Sequence, residues 1–193
     1  MSVITTLPNI GICGHLRSGK DLAGAYLAER YGYTRFAFGD EMKRLAHEIF
    51  DDTPAYPKPR ELYQWFGETM RQRDPDVWVR KCLEEIRAYT EAFGLGAFIP
   101  GSAPPAVITD LRLPTEFSTL RSAGYVIIRI AAPEALRIQR AITASDTFNL
   151  RDLTHQTESH IDSFAVDYEI ENSATPADLY AQIDAIIGEL KLT

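Results

Sequence analysis

The sequence holds two cysteines in 193 residues, Cys13 and Cys82. That is too few for a disulfide framework, and it suits a reducing compartment in which a buried thiol behaves as a small apolar side chain. No run of 18 apolar residues occurs, and the start MSVITTLPNIGICG has neither the basic head nor the long apolar stretch of a signal peptide. The expectation is a soluble, cytoplasmic protein. Basic residues are in deficit: 20 Lys plus Arg stand against 27 Asp plus Glu, a net charge of −7. Stable nucleic-acid binders and acidic-membrane binders carry the opposite footprint, so neither partner is expected, and any anionic ligand must be met by local charge. Hydrophobic content of 45% and charged content of 24% are those of an ordinary globular chain. A chain of this length forms one domain that buries about 70% of its unfolded surface.

What is present is an alternation of strand and helix. The apolar run at residues 10–13 ends in Gly14, and a helical pattern with Leu22, Ala25, Tyr26 and Ala28 begins after Gly19. A short strand at residues 36–38 is followed by Gly39, and Asp40 stands where an N-cap belongs before Met42, Leu45, Ala46, Ile49 and Phe50. Residues 51–59 hold three prolines and read as a loop; residues 60–70 and 77–93 read as helices. After a breaker-rich connection come a strand at 106–109 ending in Asp110, a helix at 113–123 closed by Gly124, and a β-branched strand at 125–130 suited to burial on both faces. A helix at 133–144, a polar stretch at 145–163, a strand at 168–170 and a helix at 176–190 complete the chain. Strands alternating with helices predict a single α/β domain built on a doubly wound parallel sheet of about five strands.

Residues 14–20 read GHLRSGK, a GxxxxGK pattern lying between a predicted strand and a predicted helix. Glycines let backbone amides turn inward as an anion nest, the helix start adds its positive dipole end, and Lys20 supplies a mobile cation for the outer phosphates. Gly14, Arg17, Ser18, Gly19, Lys20 and Asp21 are therefore the candidate ATP contacts. Asp21 stands where the pattern usually has a Ser or Thr that holds magnesium. It has two readings: a carboxylate that ligates the ion directly or through water, or a charge that complements the helix start.

The match extends beyond that loop. SGKDLAG, FAFGDEMKRLAHEIF, RELYQWFGETMRQRDPDVWV, VITDLRLPTEFSTLRSAGYVIIRI and DYEIENSATPADL, in this order and over nearly the whole chain, resemble the P-loop deoxynucleoside monophosphate kinases best known from bacteriophages. The tail is also similar to dephospho-coenzyme A kinases. Leu22 after Asp21 departs from the GKDT common in these relatives. The resemblance implies transfer of the ATP γ-phosphoryl group to a (deoxy)nucleoside 5′-monophosphate with magnesium, through an acceptor-binding helical part near residues 40–93 and a lid near 134–163. A dephospho-coenzyme A or other small-metabolite kinase, and a non-catalytic nucleotide-binding switch, are the alternatives. Some relatives dimerise; nothing apolar in this sequence demands a homodimer.

Arginine outnumbers lysine 15 to 5, which suits bidentate phosphate clamping. Arg60 and Arg71, with Arg73, flank Tyr63, Gln64, Trp65 and Phe66, where the family binds its acceptor; Gln64 is placed to read a base edge. Asp40 is either an N-cap or a contact to the acceptor sugar or metal, with Lys43 and Arg44 one helical turn on. Trp78 is either core or a base-stacking platform, and Asp76 caps the next helix. Asp110 and Arg112, in TDLR, are similar to the family's Asp-x-Arg and read as a magnesium-holding carboxylate with an arginine on phosphate, or as a cap with a surface ion pair. Arg137 and Arg140 share one helical face and, with Arg112 and Lys20, are the candidate catalytic cations. Asn172 and Thr175 are candidate nucleotide contacts, Thr175 alternatively capping the last helix. His155, Glu158 and His160 match no zinc spacing.

Overall fold

Ile10–Cys13 (β1) is buried at every position, and a strand so covered needs neighbours on both edges and helices on both faces. In the computed structural model, which describes residues 7–55, 58–96, 103–143 and 159–192, it has them. Strand Ala106–Leu111 (β3) lies on one side and Val126–Ala131 (β4) on the other. Thr34–Phe36 (β2) and Tyr168–Glu171 (β5) extend the sheet to the order β2-β3-β1-β4-β5, every pair parallel. The expected doubly wound α/β sheet of five strands is the observed one.

Helices Lys20–Tyr31 (α1) and Pro176–Leu190 (α7) cover one face, where Ala23, Leu27, Leu179 and Ile183 pack on Ile12, Val107, Ile128 and Ile170. On the other face Val79, Cys82 and Ile86 of Val77–Gly96 (α4) and Leu120 of Pro114–Ser122 (α5) meet Cys13, Ile108, Leu111 and Ile127. A third, smaller cluster joins Ala46 of Phe38–Ile49 (α2), Phe66 of Arg60–Arg73 (α3) and Trp78. Glu134–Thr143 (α6) precedes the polar stretch, whose residues 144–158, His155 and Glu158 among them, lie outside the described ones.

The junction of the second strand and the helix after it differs from expectation. The second strand stops at Phe36 and α2 begins at Phe38, so Asp40 is the third residue of the helix and not its cap. The amides of Phe38 and Gly39 donate instead to the two carboxylate oxygens of Asp110, at 2.8 and 3.0 Å. Asp110 can reach them because β3 does not end there. Gly11 is paired with Ile108 but Cys13 with Leu111, so β3 carries one extra residue. This bulge places Leu111 in the same cluster as Ile108, three positions away, and re-aims the residues between.

Ile12 is 1% exposed at the centre of the sheet. Ile12→Ala should cost about 2–5 kcal/mol through lost burial and a residual cavity, read as a lowered urea midpoint with an unchanged slope.

Candidate active site

In a parallel sheet the carboxyl ends of all strands share one edge, and ligands bind there. Residues 14–19 leave β1 at that edge. A side chain at Gly14 would strike the carbonyl oxygen of Ile130, and one at Gly19, where φ is +107°, would strike the Asn172 amide. Both glycines of the motif are thus fixed by close approach of the loop to β4 and to the residue after β5. Arg17 holds the loop's one non-glycine positive φ, 63°.

The loop's carbonyls are answered by side-chain donors in sequence. Lys20, 7% exposed, donates to Gly14 O at 2.6 Å and His15 O at 2.8 Å. Arg137 reaches Leu16 O at 3.4 Å, and Arg140 reaches Arg17 O and Ser18 O at 3.4 and 3.5 Å. Asn172 donates to Ser18 O at 2.7 Å and accepts from Arg140 through its side-chain oxygen, 3.3 Å, and its backbone carbonyl, 3.0 Å. The i,i+3 spacing that put Arg137 and Arg140 on one face is realised, with that face on the loop. His15 Nε2 lies 3.0 Å from Asp162 Oδ1, tying the loop to the short 3-10 turn Ile161–Ser163.

An open cleft of about 1080 Å³ runs from this loop, lined among others by Arg17, Gly19, Lys20, Asp21, Lys43, Arg60, Tyr63, Gln64, Arg71, Trp78, Asp110, Arg112, Arg140 and Asn172. Arg60, Gln64 and Arg71 come from one stripe of α3, four and then seven residues apart. Trp78 is a core residue, 4% exposed, whose indole N–H donates to Gly67 O at 3.0 Å; it also borders the cleft. Asp40 is bound to Lys43 at 2.9 Å.

Asp40, Arg44 and Thr175 are not among the residues that line the cleft. Arg44 turns away from the cleft lining and forms ion pairs with Glu41 and Glu48, both at 2.7 Å, because acids stand three residues before and four after it on α2. Thr175 caps α7, accepting from the Asp178 amide at 3.3 Å while its hydroxyl donates to the Asp178 carboxylate; Ala174 and Pro176, not Thr175, line the cleft. Asn172 lines the cleft, but its side chain holds the loop backbone.

Sequence reasoning missed Arg35 and Glu116. Arg35 stands on β2 and joins Asp21 and Thr109 at the cleft wall; a lone arginine in a three-residue strand gives little signal. Glu116, 6% exposed, accepts from the amides of Arg112 and Leu113 at 2.7 and 2.8 Å and so fixes the turn that carries Arg112. Its signal is an acid at the third position of a helix that opens with proline, weakened here because Leu113 stands where a polar cap is usual. Burial, reinforced by the Asp110 charge, outweighs the two N–H bonds and pushes its carboxyl up to about 7. Burial likewise pushes the Cys13 thiol up to about 11, and that of Cys82 higher still, so neither is a thiolate nucleophile at neutral pH.

The oxygen donors fit magnesium. Asp21 is paired through one oxygen with Arg35 at 3.2 Å, and each Asp110 oxygen takes a single backbone N–H, so both carboxylates keep acceptor capacity. No group of three or more His, Cys, Asp or Glu that could hold a metal occurs among the described residues. An ion held by one or two carboxylates, with waters and phosphate oxygens completing the shell, is the usual magnesium arrangement.

The fold is that of the P-loop kinases. Shikimate kinase from Acinetobacter baumannii superposes with a TM-score of 0.58 at 19% identity, covering 98% of this chain and 97% of that one. TT1252 from Thermus thermophilus gives 0.60 at 19% identity over 96% and 98%, and dephospho-CoA kinase from Campylobacter jejuni 0.52 at 14% over 96% and 98%. In sequence, the chain is 26% identical over 193 residues, 90% of this chain and 93% of the relative, to a protein of Acanthamoeba polyphaga mimivirus described as "Putative deoxynucleotide monophosphate kinase". No family model matches. No helix among the described residues is long and apolar enough to cross a membrane.

Glu116 generates a pH prediction. Its folded pKa of about 7 lies above the ordinary 4.5, so the native state holds the extra proton between these values. The stability associated with the neutral carboxyl is complete below about pH 4.5 and is lost as pH rises through 7, on the order of 3 kcal/mol. Glu116→Gln keeps an acceptor for both amides and removes the ionisation. Urea denaturation at pH 5 and pH 8 should show the variant gaining on the parent protein at the higher pH, and parallel profiles would refute the assignment.

Proposed function

We propose that this chain transfers the γ-phosphoryl group of ATP to a (deoxy)nucleoside 5′-monophosphate, as an enzyme of the type the bacteriophage resemblance implies. The observation that carries this reading is that one cleft is lined both by the phosphate loop with Lys20 and by Arg60, Gln64, Arg71 and Trp78 of the helical part, with Asp110 and Arg112 on the same walls. The name carried by the mimivirus relative supports it.

Phosphoryl transfer spreads charge over the equatorial oxygens of the transferred group, so positioning and electrostatic clamping do most of the work. An acceptor phosphate is already ionised at neutral pH and needs no general base. Lys20 exchanges the carbonyls of Gly14 and His15 for phosphate oxygens of ATP. Arg112, set by Glu116, and the α3 arginines Arg60 and Arg71 grip the acceptor phosphate, while Trp78 and Gln64 meet its base. Arg137 and Arg140 act on the reaction by holding the loop in shape. Asp21 and Asp110 are the residues that would hold a magnesium ion, which would supply charge neutralisation to the phosphates.

A coupled ADP-release assay over dAMP, dGMP, dCMP, dTMP and dephospho-coenzyme A checks the acceptor. At least one nucleoside monophosphate should raise ADP formation tenfold or more above ATP alone. Stimulation by dephospho-coenzyme A and by none of the others would replace this reading with a metabolite kinase.

Lys20→Ala should lower turnover by about 10²–10³-fold, the usual loss for one transition-state donor, with the melting temperature within a few degrees of the parent's. Parental turnover in the variant would remove Lys20 from the site.

A further inference from the structure

Asp21 is the second residue of α1, next to Lys20, and its carboxylate is 86% exposed at the cleft wall. A negative charge in that position opposes the approach of a polyphosphate. The helix start offsets it only in part, since its positive end is about half a charge. The structure places a cation against it. Arg35 Nη2 lies 3.2 Å from Asp21 Oδ1, and Arg35 Nε donates to Thr109 Oγ1 at 3.1 Å. The guanidinium is held, not trailing. Thr109 is buried on β3, and its methyl group occupies the space that a side chain at Gly24 of α1 would take, with the Arg35 stem 3.9 Å from the same point. Gly24, Thr109 and Arg35 thus form a seat that brings the arginine to Asp21, while the pair itself is exposed and adds little to the stability of the fold.

We propose that Arg35 is the charge-compensating residue for Asp21: it cancels the carboxylate beside the phosphates when no cation is bound, and releases it to a divalent cation when one is. Arg35 acts through Asp21 and is a positioning residue. This inference rests on the proposed binding of ATP at the loop, and deepens it by naming the group that makes a carboxylate tolerable there.

The test is a calorimetric titration of the full chain with ATP, once in EDTA and once with magnesium, for the parent protein, Arg35→Gln, Asp21→Asn and the double variant. In EDTA, Arg35→Gln should weaken ATP binding about tenfold, and with magnesium the loss should shrink to threefold or less. In the Asp21→Asn background the Arg35 substitution should change metal-free affinity no more than twofold, because no carboxylate remains to be cancelled. Arg35→Lys, which keeps the charge, should recover part of the loss and provides a second variant should the glutamine protein not fold. The proposal is overturned if Arg35→Gln leaves metal-free binding unchanged, if its loss is as large in the Asp21→Asn background as with Asp21 in place, or if the parent binds ATP only with magnesium. A parent protein that takes up ATP under neither condition overturns the kinase reading instead.

Discussion

Five consecutive backbone carbonyls, from Gly14 to Ser18, each accept from a side-chain donor: Lys20 on the first two, Arg137 on the third, Arg140 and Asn172 on the last two. In a trans peptide the C=O and the following N–H point in opposite directions. Turning a run of carbonyls toward cations therefore turns the intervening amides the other way, which is what an anion nest requires. Most of the site depends on this arrangement. It explains why α6 and the residue after β5 must sit where they do, and why Gly19, packed against Asn172, admits no side chain.

The same edge of the sheet resolves an apparent conflict in charge. The chain as a whole is acidic, at −7, yet among the described residues nine Lys and Arg line the cleft against three acids, Asp21, Asp110 and Glu116. The excess acid lies elsewhere, on outer helix faces such as that of Glu41 and Glu48. A positive concavity within a negative surface attracts polyanions to one place and repels them from the remainder.

How much of this the sequence revealed follows from the reach of each interaction. The strand-loop-helix form of the glycine-rich turn was legible because strand, glycines, lysine and helix are contiguous, and the α3 stripe because helical spacing alone puts Arg60, Gln64 and Arg71 together. The parallel sheet followed from alternation of elements. The cap of α2 was not legible: its acceptor, Asp110, is 71 residues from the Gly39 amide and depends on a bulge that no local pattern announces. The cap reading of Asp40 fails because local rules supply only the nearest acid. Arg44 went astray for want of its neighbours: two glutamates at helical spacing decide its direction. Arg35 and Glu116 matter through partners on other elements, Thr109 and the Arg112 turn, and residues of that kind emerge only when the chain is folded.

The carboxylate that finishes α2 belongs to the sheet, and Phe38, the first residue of that helix, is buried among sheet side chains. The helical part is consequently not a portable module. A fragment beginning at residue 38 would carry raw amides at its leading turn, and a graft onto a different parallel sheet would inherit the helices without the acid that seats them. Exchange of the whole segment would have to bring its anchoring strand along, whereas single side chains along α3 and the start of α4 can change without disturbing that anchor.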